Sequence, residues 1–510
     1  MFLLMSMVGR STFAYDVEID DIYYNLNYAE KTAEVTSGGK DSYYYGEVII
    51  PAEITLSPGP FIPASKMANT LSENTYKVTS IGEGVFKQSG ITSIIIGDNV
   101  SSGVAFQYCN HLTNVVIGKS VTDIDFYQSN NITTVTFHCK EIGNWFNTYG
   151  GRYVKVIMIG EEVTSIRGCF DYLEKVIVCN IASWCAIPFG SENSNPLWKT
   201  HHLYVDEDTE IKDLVIPDNV SSIGDFAFAG CTELRSVTFP NSLTSIGRST
   251  FSGCTGLTNV TIPNGVTCIE SSTFSKCTSL ASVSLPNSIT SIGMSAFSGC
   301  SGLTSVTIPN SITSIGSSAF RECTGMTSVT IGNSVTSIGS SAFHSCTGLT
   351  SITIPNSVTH IGQMAFGGCT GLTRVDYSSL EHLCSIDFET DKISSSNPLY
   401  LYSSNPLYHA RHLYINGEEI NDLVIPETIT SIGAVTFYGC LLKHVMLKHQ
   451  SPPAVSKISF SEPTRYHATL YVPAGTWESY AYDDGWYTFI NIRVTMFAVG
   501  NANRPIGNSP

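Results

Sequence analysis

The sequence predicts a β-rich solenoid, a stack of 23-residue coils with parallel strands, capped at both ends. Three observations predict it. Phe228, Phe251, Phe274, Phe297, Phe320, Phe343 and Phe366 recur at a fixed interval of 23 residues, and a period in that range marks a repeat array. Three residues behind each comes a cysteine: Cys231, Cys254, Cys277, Cys300, Cys323, Cys346 and Cys369. Between them recurs a short apolar-polar-apolar alternation such as Val306-Thr307-Ile308, whose period of two puts Val and Ile on one face of a strand and Thr on the other.

The unit from Leu303 to Cys323 keeps Leu303, Val306, Ile308, Ile312, Ile315, Ala319, Phe320 and Cys323 apolar. Pro309-Asn310-Ser311 ends the strand, because proline has no N–H to give a ladder and Asn and Ser favour turns. Ile312 and Ile315 form a second apolar pair leading to Gly316, where a bend is easy. Ser317 to Cys323 reads as a turn or one helical turn that carries Phe320 inward. A single coil buries too little apolar surface to offset the ordering of its own backbone. Coils therefore stack, sharing strand hydrogen bonds, and the ends need protection.

The pattern Leu-x-x-Val-x-Ile-Pro-x-x-Ile-x-x-Ile-Gly-x-x-Ala-Phe-x-x-Cys, read from Leu303 to Cys323, resembles the leucine-rich repeat of the BspA-like family of bacterial surface proteins. Seven clean copies and degenerate ones on both sides carry the likeness over most of the chain. The resemblance implies a leucine-rich-repeat solenoid, export, and use in adhesion or protein binding, and it brings no catalytic residue.

The net charge of −16 argues against nucleic acid or an anionic membrane surface as partner. Only 14% of the residues are charged, so solubility rests on Ser, Thr and Asn. Of 15 cysteines, Cys109 and Cys440 join the seven of the array at equivalent positions, leaving Cys139, Cys169, Cys179, Cys185, Cys268 and Cys384. Adjacent coils about 4.8 Å apart leave disulfides geometrically open. A cysteine beside a buried Phe in every coil nevertheless reads as a small core residue with a free thiol. No Cys-x-x-Cys pair or zinc-type histidine spacing occurs, so neither metal nor cofactor is expected.

In chain order, residues 1–14 read as a secretory signal without its basic leader, with Thr12-Phe13-Ala14 as cleavage site, or else as a buried first strand. No stretch reaches the length of a membrane span. Residues 15–77 form the N-terminal cap, with strands at Ile22 to Leu26 and Ala33 to Val35 and a loop at Ser57-Pro58-Gly59-Pro60. Degenerate repeats follow over 78–180. An enlarged, loop-bearing coil occupies 181–217, regular repeats 218–377, a second enlarged coil 378–426 and a last repeat 427–450. The C-terminal cap spans 451–495, with a helix from Thr476 to Trp486, and 496–510 is a disordered tail. The enlarged coils share wording: Cys185, Asn195-Pro196-Leu197-Trp198 and His202-Leu203-Tyr204 recur as Cys384, Asn405-Pro406-Leu407-Tyr408 and His412-Leu413-Tyr414. The second also doubles its loop at Ser396 to Tyr400.

These loops are expected to project and to offer Trp198, Tyr204, Tyr400, Tyr402, Tyr408 and Tyr414, residue types common at binding hot spots. The alternative is that they pack on the coil beneath. The outward strand positions Thr261, Thr307, Thr330 and Thr353 offer a hydroxyl row. It is first a stacking device, then a binding face for protein or glycan, and remotely an ice-binding plane. Asp206, Glu207 and Asp208 share one loop and read as solvated. No nucleophile elbow, phosphate loop or paired catalytic acid stands out, so the chain is read as no enzyme. The expected function is a secreted or cell-surface, adhesin-type binding protein whose partner is a host or neighbouring-cell protein. The alternatives are a structural surface spacer and a glycan-binding module.

Overall fold

The computed structural model describes residues 15–39, 43–56, 74–143, 153–167, 170, 172–390 and 403–495. The chain divides into two compact units, Met1–Gly256 and Leu257–Pro510, and each is a β-solenoid built from parallel strands. The signal reading at 1–14, the loop at 57–60, Cys169, the doubled loop at 396–400 and the tail at 496–510 lie outside the described residues.

In the first unit, Val17–Ile19, Ile22–Asn27 and Thr32–Thr36 form an antiparallel meander. Thr32–Thr36 then pairs in parallel with Thr75–Ile81. The main sheet begins at Tyr45–Ile50 and continues through Gly90–Ile96, Asn114–Ile117, Thr134–Phe137, Val156–Ile159, Lys175–Val178 and Leu203–Tyr204, every pair parallel. Behind it Phe86, Phe106 and Phe126 are fully buried, with neighbouring ring centroids 5.5 and 6.0 Å apart.

The second unit shows the regular coil without drift. Its main strand, Ser305–Thr307 in the coil of Phe320, is followed by a two-residue second strand at Ser314–Ile315. The sequence reading recognised only an apolar pair there. These short strands form a second parallel sheet from Cys268–Ile269 to Asp387–Phe388. Gly316 is required by close approach rather than by a bend: a Cβ there would stand 2.6 Å from the carbonyl carbon of Gly293 in the coil before.

The third side of the coil is a run of turns. Ser318 and Glu322 are left-handed, with φ of 57° and 60°, so alternate N–H groups point along the stack. Ser318, Phe320 and Glu322 thus donate to the carbonyls of Ser340, Ala342 and His344 at 2.8, 2.8 and 2.7 Å. Phe274, Phe297, Phe320, Phe343 and Phe366 stack beneath, each ring 5.4 to 5.5 Å from the next and within 9° of parallel.

The cysteine ladder has a specific role. The thiols of Cys300, Cys323, Cys346 and Cys369 donate to the carbonyls of Phe274, Phe297, Phe320 and Phe343, one coil back, at 3.1 to 3.2 Å. In the first unit Cys254 and Cys109 do the same to Phe228 and Phe86, and where a drifted coil has serine, Ser129 donates to Phe106. The described cysteines are free thiols. Burial pushes Cys231 and Cys369 up to about 12.

After the second enlarged coil the parallel sheet does not stop at His444–Leu447. Thr469–Val472 and Asn491–Val494 extend it, and Phe460 stacks on Phe437 at 5.2 Å, so the residues expected as a C-terminal cap continue the stack. The helix expected over Thr476 to Trp486 is shorter, Trp477–Ala481. Asp483 Oδ1 captures the N–H groups of Gly485 and Trp486 at 2.9 and 3.2 Å, a local turn that competes with helix continuation. Tyr480 and Trp486 are buried, whereas Trp477 is 44% exposed.

Candidate functional site

Where they are described, both enlarged coils are pinned to the coil that follows. In the first, Asn195 is fully buried; its amide donates to the carbonyls of Phe226 and Ala227 at 2.6 and 3.2 Å, and its Oδ1 accepts the Leu197 N–H. In the second, Asn405 repeats this toward Val435 and Thr436 at 2.8 and 2.9 Å, again accepting from Leu407. The short helices Leu197–Thr200 and Leu407–Ala410 that follow end at left-handed His201 and Arg411. The recurring Asn-Pro-Leu is therefore an anchor that satisfies backbone carbonyls of the following coil.

This anchoring fixes the aromatic candidates. Trp198, half-buried, lies flat across two glycine positions: a Cβ on Gly230 would be 2.9 Å from its Cε3, and one on Gly253 3.4 Å from its Cζ3. Tyr408 is half-buried and stacks on Tyr438, centroids 6.2 Å apart. Tyr204 and Tyr414 are also half-buried but reach the outward face of the sheets, each under a cation from the preceding strand. Lys175 stands 4.3 Å above Tyr204, and the Arg374 guanidinium 4.0 Å above Tyr414. Tyr400 and Tyr402 lie outside the described residues.

Thr261, Thr307, Thr330 and Thr353 are all exposed, and no partner for their hydroxyls occurs among the described residues. Other threonines are spent on the framework: Thr327 and Thr373 donate to the carbonyls of Thr304 and Thr350 at 3.2 Å, and Thr290 to that of Thr267 at 3.1 Å. The outward row runs from Thr353 to Asp376 and on to Tyr414. Arg374 grips Asp376 with two bonds of 2.6 and 2.7 Å.

Sequence reasoning missed the corresponding row of the first unit. Cross-strand partners there are Ile49, Ile95, Val116, Thr136, Met158, Ile177 and Tyr204 in unbroken register, at the outward position that Thr fills in the regular coils. Ile49 is 54% exposed; Ile177 is covered, and the rest are half-buried. Beside it runs a mainly polar row, Glu47, Ser93, Asn114, Thr134, Val156 and Lys175. The signal was present: Val115-Val116-Ile117 and Val156-Ile157-Met158-Ile159 are continuous apolar runs, which mark strands apolar on both faces.

Among the described residues no group of three His, Cys, Asp or Glu is placed to hold a metal ion, and no helix is long and apolar enough to cross a membrane.

The family described as BspA type leucine rich repeat region matches the chain over residues 66–176, 204–324, 291–397 and 410–472. No curated protein matches. Among solved structures, the chain is similar to a leucine-rich repeat protein from Bacteroides ovatus, at 23% identity over 94% of this chain and 100% of that one, TM-score 0.43. A leucine rich cell surface protein from Faecalibacterium prausnitzii matches at 23% identity over 74% of this chain and 98% of its own, TM-score 0.30. A leucine rich repeat protein of T. pallidum matches at 30% identity over 34% of this chain and 71% of its own, TM-score 0.26.

Proposed function

Since the chain belongs to the BspA-type leucine-rich repeat family, we propose that it is a non-enzymatic, secreted or cell-surface binding protein of adhesin type. Its partner is a protein of a host or neighbouring cell, held on the outward face of the main sheet. The observation that carries this reading is the row from Ile49 to Ile177, apolar except at Thr136, alongside the mainly polar row from Glu47 to Lys175. An apolar strip with a polar margin has the anatomy of a protein interface, in which the centre loses water and the rim stays wet. Across these six strands it extends for about 24 Å at the usual strand spacing. The aromatic loops serve as framework, because Trp198 and Tyr408 already spend their rings on Gly230 and Tyr438.

The test is binding of the labelled full chain to cultured epithelial cells, before and after surface proteolysis. The expected result is saturable, protease-sensitive binding that falls by roughly tenfold or more with Ile95→Asp and Met158→Asp, since a charge on the strip must be desolvated. Trp198→Ala and Tyr408→Ala should change affinity little once folding is confirmed. Binding lost with the latter pair and kept with the former would return the site to the loops.

A further inference from the structure

The hydroxyl row of the second unit ends in a cleft of about 640 Å³, within the usual range of roughly 300 to 1,000 Å³ for small-ligand sites. Thr353 and Asn356 line it from one coil, Arg374, Asp376 and Ser378 from the next, and Asn416 from the hairpin that follows Tyr414. That hairpin turns at Asn416 and Gly417, both with positive φ, 50° and 83°.

Three features define what the cleft can hold. Its wall cation, Arg374, is already neutralised by two bonds to Asp376 and fixed from the other side by Tyr414. A phosphate or carboxylate ligand would therefore have to displace a formed pair. Ser378 donates to Asn356 Oδ1, and among the described residues the Asn356 amide nitrogen, the Asn416 side chain and the Thr353 hydroxyl have no partner. An apolar ligand would leave these groups unpaired, at a cost. The Asp376 oxygens, held in place by Arg374, keep lone pairs for further donors. What remains is a ligand without net charge that donates and accepts through closely spaced hydroxyls.

The first enlarged coil supplies an internal control. It builds the same corner, Lys175 over Tyr204, but the residue in register with that tyrosine is Ile177, buried, where the second coil has Asp376. The cation over the ring is thus shared framework, and the carboxylate among amides and hydroxyls belongs to the second coil.

We propose that this cleft is a saccharide subsite, which takes a neutral oligosaccharide by accepting its hydroxyls at Asp376 and pairing others with Thr353, Asn356 and Asn416. It is independent of the protein-binding row, which lies in the other unit. The experiment is saturation-transfer NMR and calorimetry of the full chain against short neutral glucans, mannans, galactans and xylans, with uncharged peptides in parallel. At least one saccharide should bind saturably. Thr353→Val, near-isosteric, should weaken it with thermal melting unchanged, and Asp376→Asn, which also loosens the Arg374 pair, should weaken it by roughly tenfold in a chain that circular dichroism shows still folded. Ile95→Asp should leave saccharide binding intact. The proposal is overturned if no saccharide saturates, if both cleft variants bind as wild type, or if only peptides bind and Asp376→Asn abolishes that.

Discussion

The Cys323 thiol donates to the Phe297 carbonyl, which also accepts the Cys300 N–H at 3.2 Å. A hydroxyl does the same work at Ser129, so Cys323→Ser should stay within about 1 kcal/mol of wild type in urea denaturation. Cys323→Ala, which removes the donor, should lose about 1 to 2 kcal/mol. Burial raises these thiols from an unfolded value of about 8.5, to about 12 at Cys231, Cys369 and Cys440. A raised acid pKa means the native state binds more protons than the unfolded state. The stabilisation is thus complete below about pH 8.5 and is lost progressively as pH climbs toward about 12. Alkaline titration followed by circular dichroism should show cooperative unfolding in that window, and thiol labelling at pH 8 should reach exposed Cys179 long before the ladder. Burial of Phe and Cys was legible from their period. The bond each thiol makes was not, because period assigns a residue to the core without naming the acceptor one coil back.

At the scale of the coil, the repeated glycine and the recurring Asn-Pro-Leu were visible as words but not as mechanisms. Gly316 marks the closest approach of two backbones. Gly316→Ala should therefore cost about 1 to 3 kcal/mol through a forced backbone shift, read as a lower melting temperature. Asn405 binds two carbonyls of a coil some thirty residues on, a contact that no local propensity encodes. Asn405→Ala should destabilise by about 2 to 3 kcal/mol, because it leaves buried carbonyls short of donors. Excising one whole period, Leu303 to Gly325, keeps every neighbour in register. The shortened chain should fold with both flanking regions intact and still bind cells, since the proposed protein face lies in the first unit.

Across the whole molecule, two solenoid units share one coil design and differ in what their main sheets present outward. The second presents Thr261, Thr307, Thr330 and Thr353 and then the Arg374-Asp376 pair; the first presents the apolar row from Ile49 to Ile177. Clean repetition made the second unit easy to read. Drift in the first unit obscured the register of seven strands, and only register turns Ile95, Val116 and Met158 from scattered apolar residues into one row. The central claim is that this row meets the partner protein. The most direct measurement places a photo-crosslinking phenylalanine analogue at Val116 or, separately, at Thr330, and exposes cell-bound chain to light. Efficient crosslinks to a cell-surface protein from position 116 with few from 330 are the predicted result; crosslinks from 330 and none from 116 would contradict it.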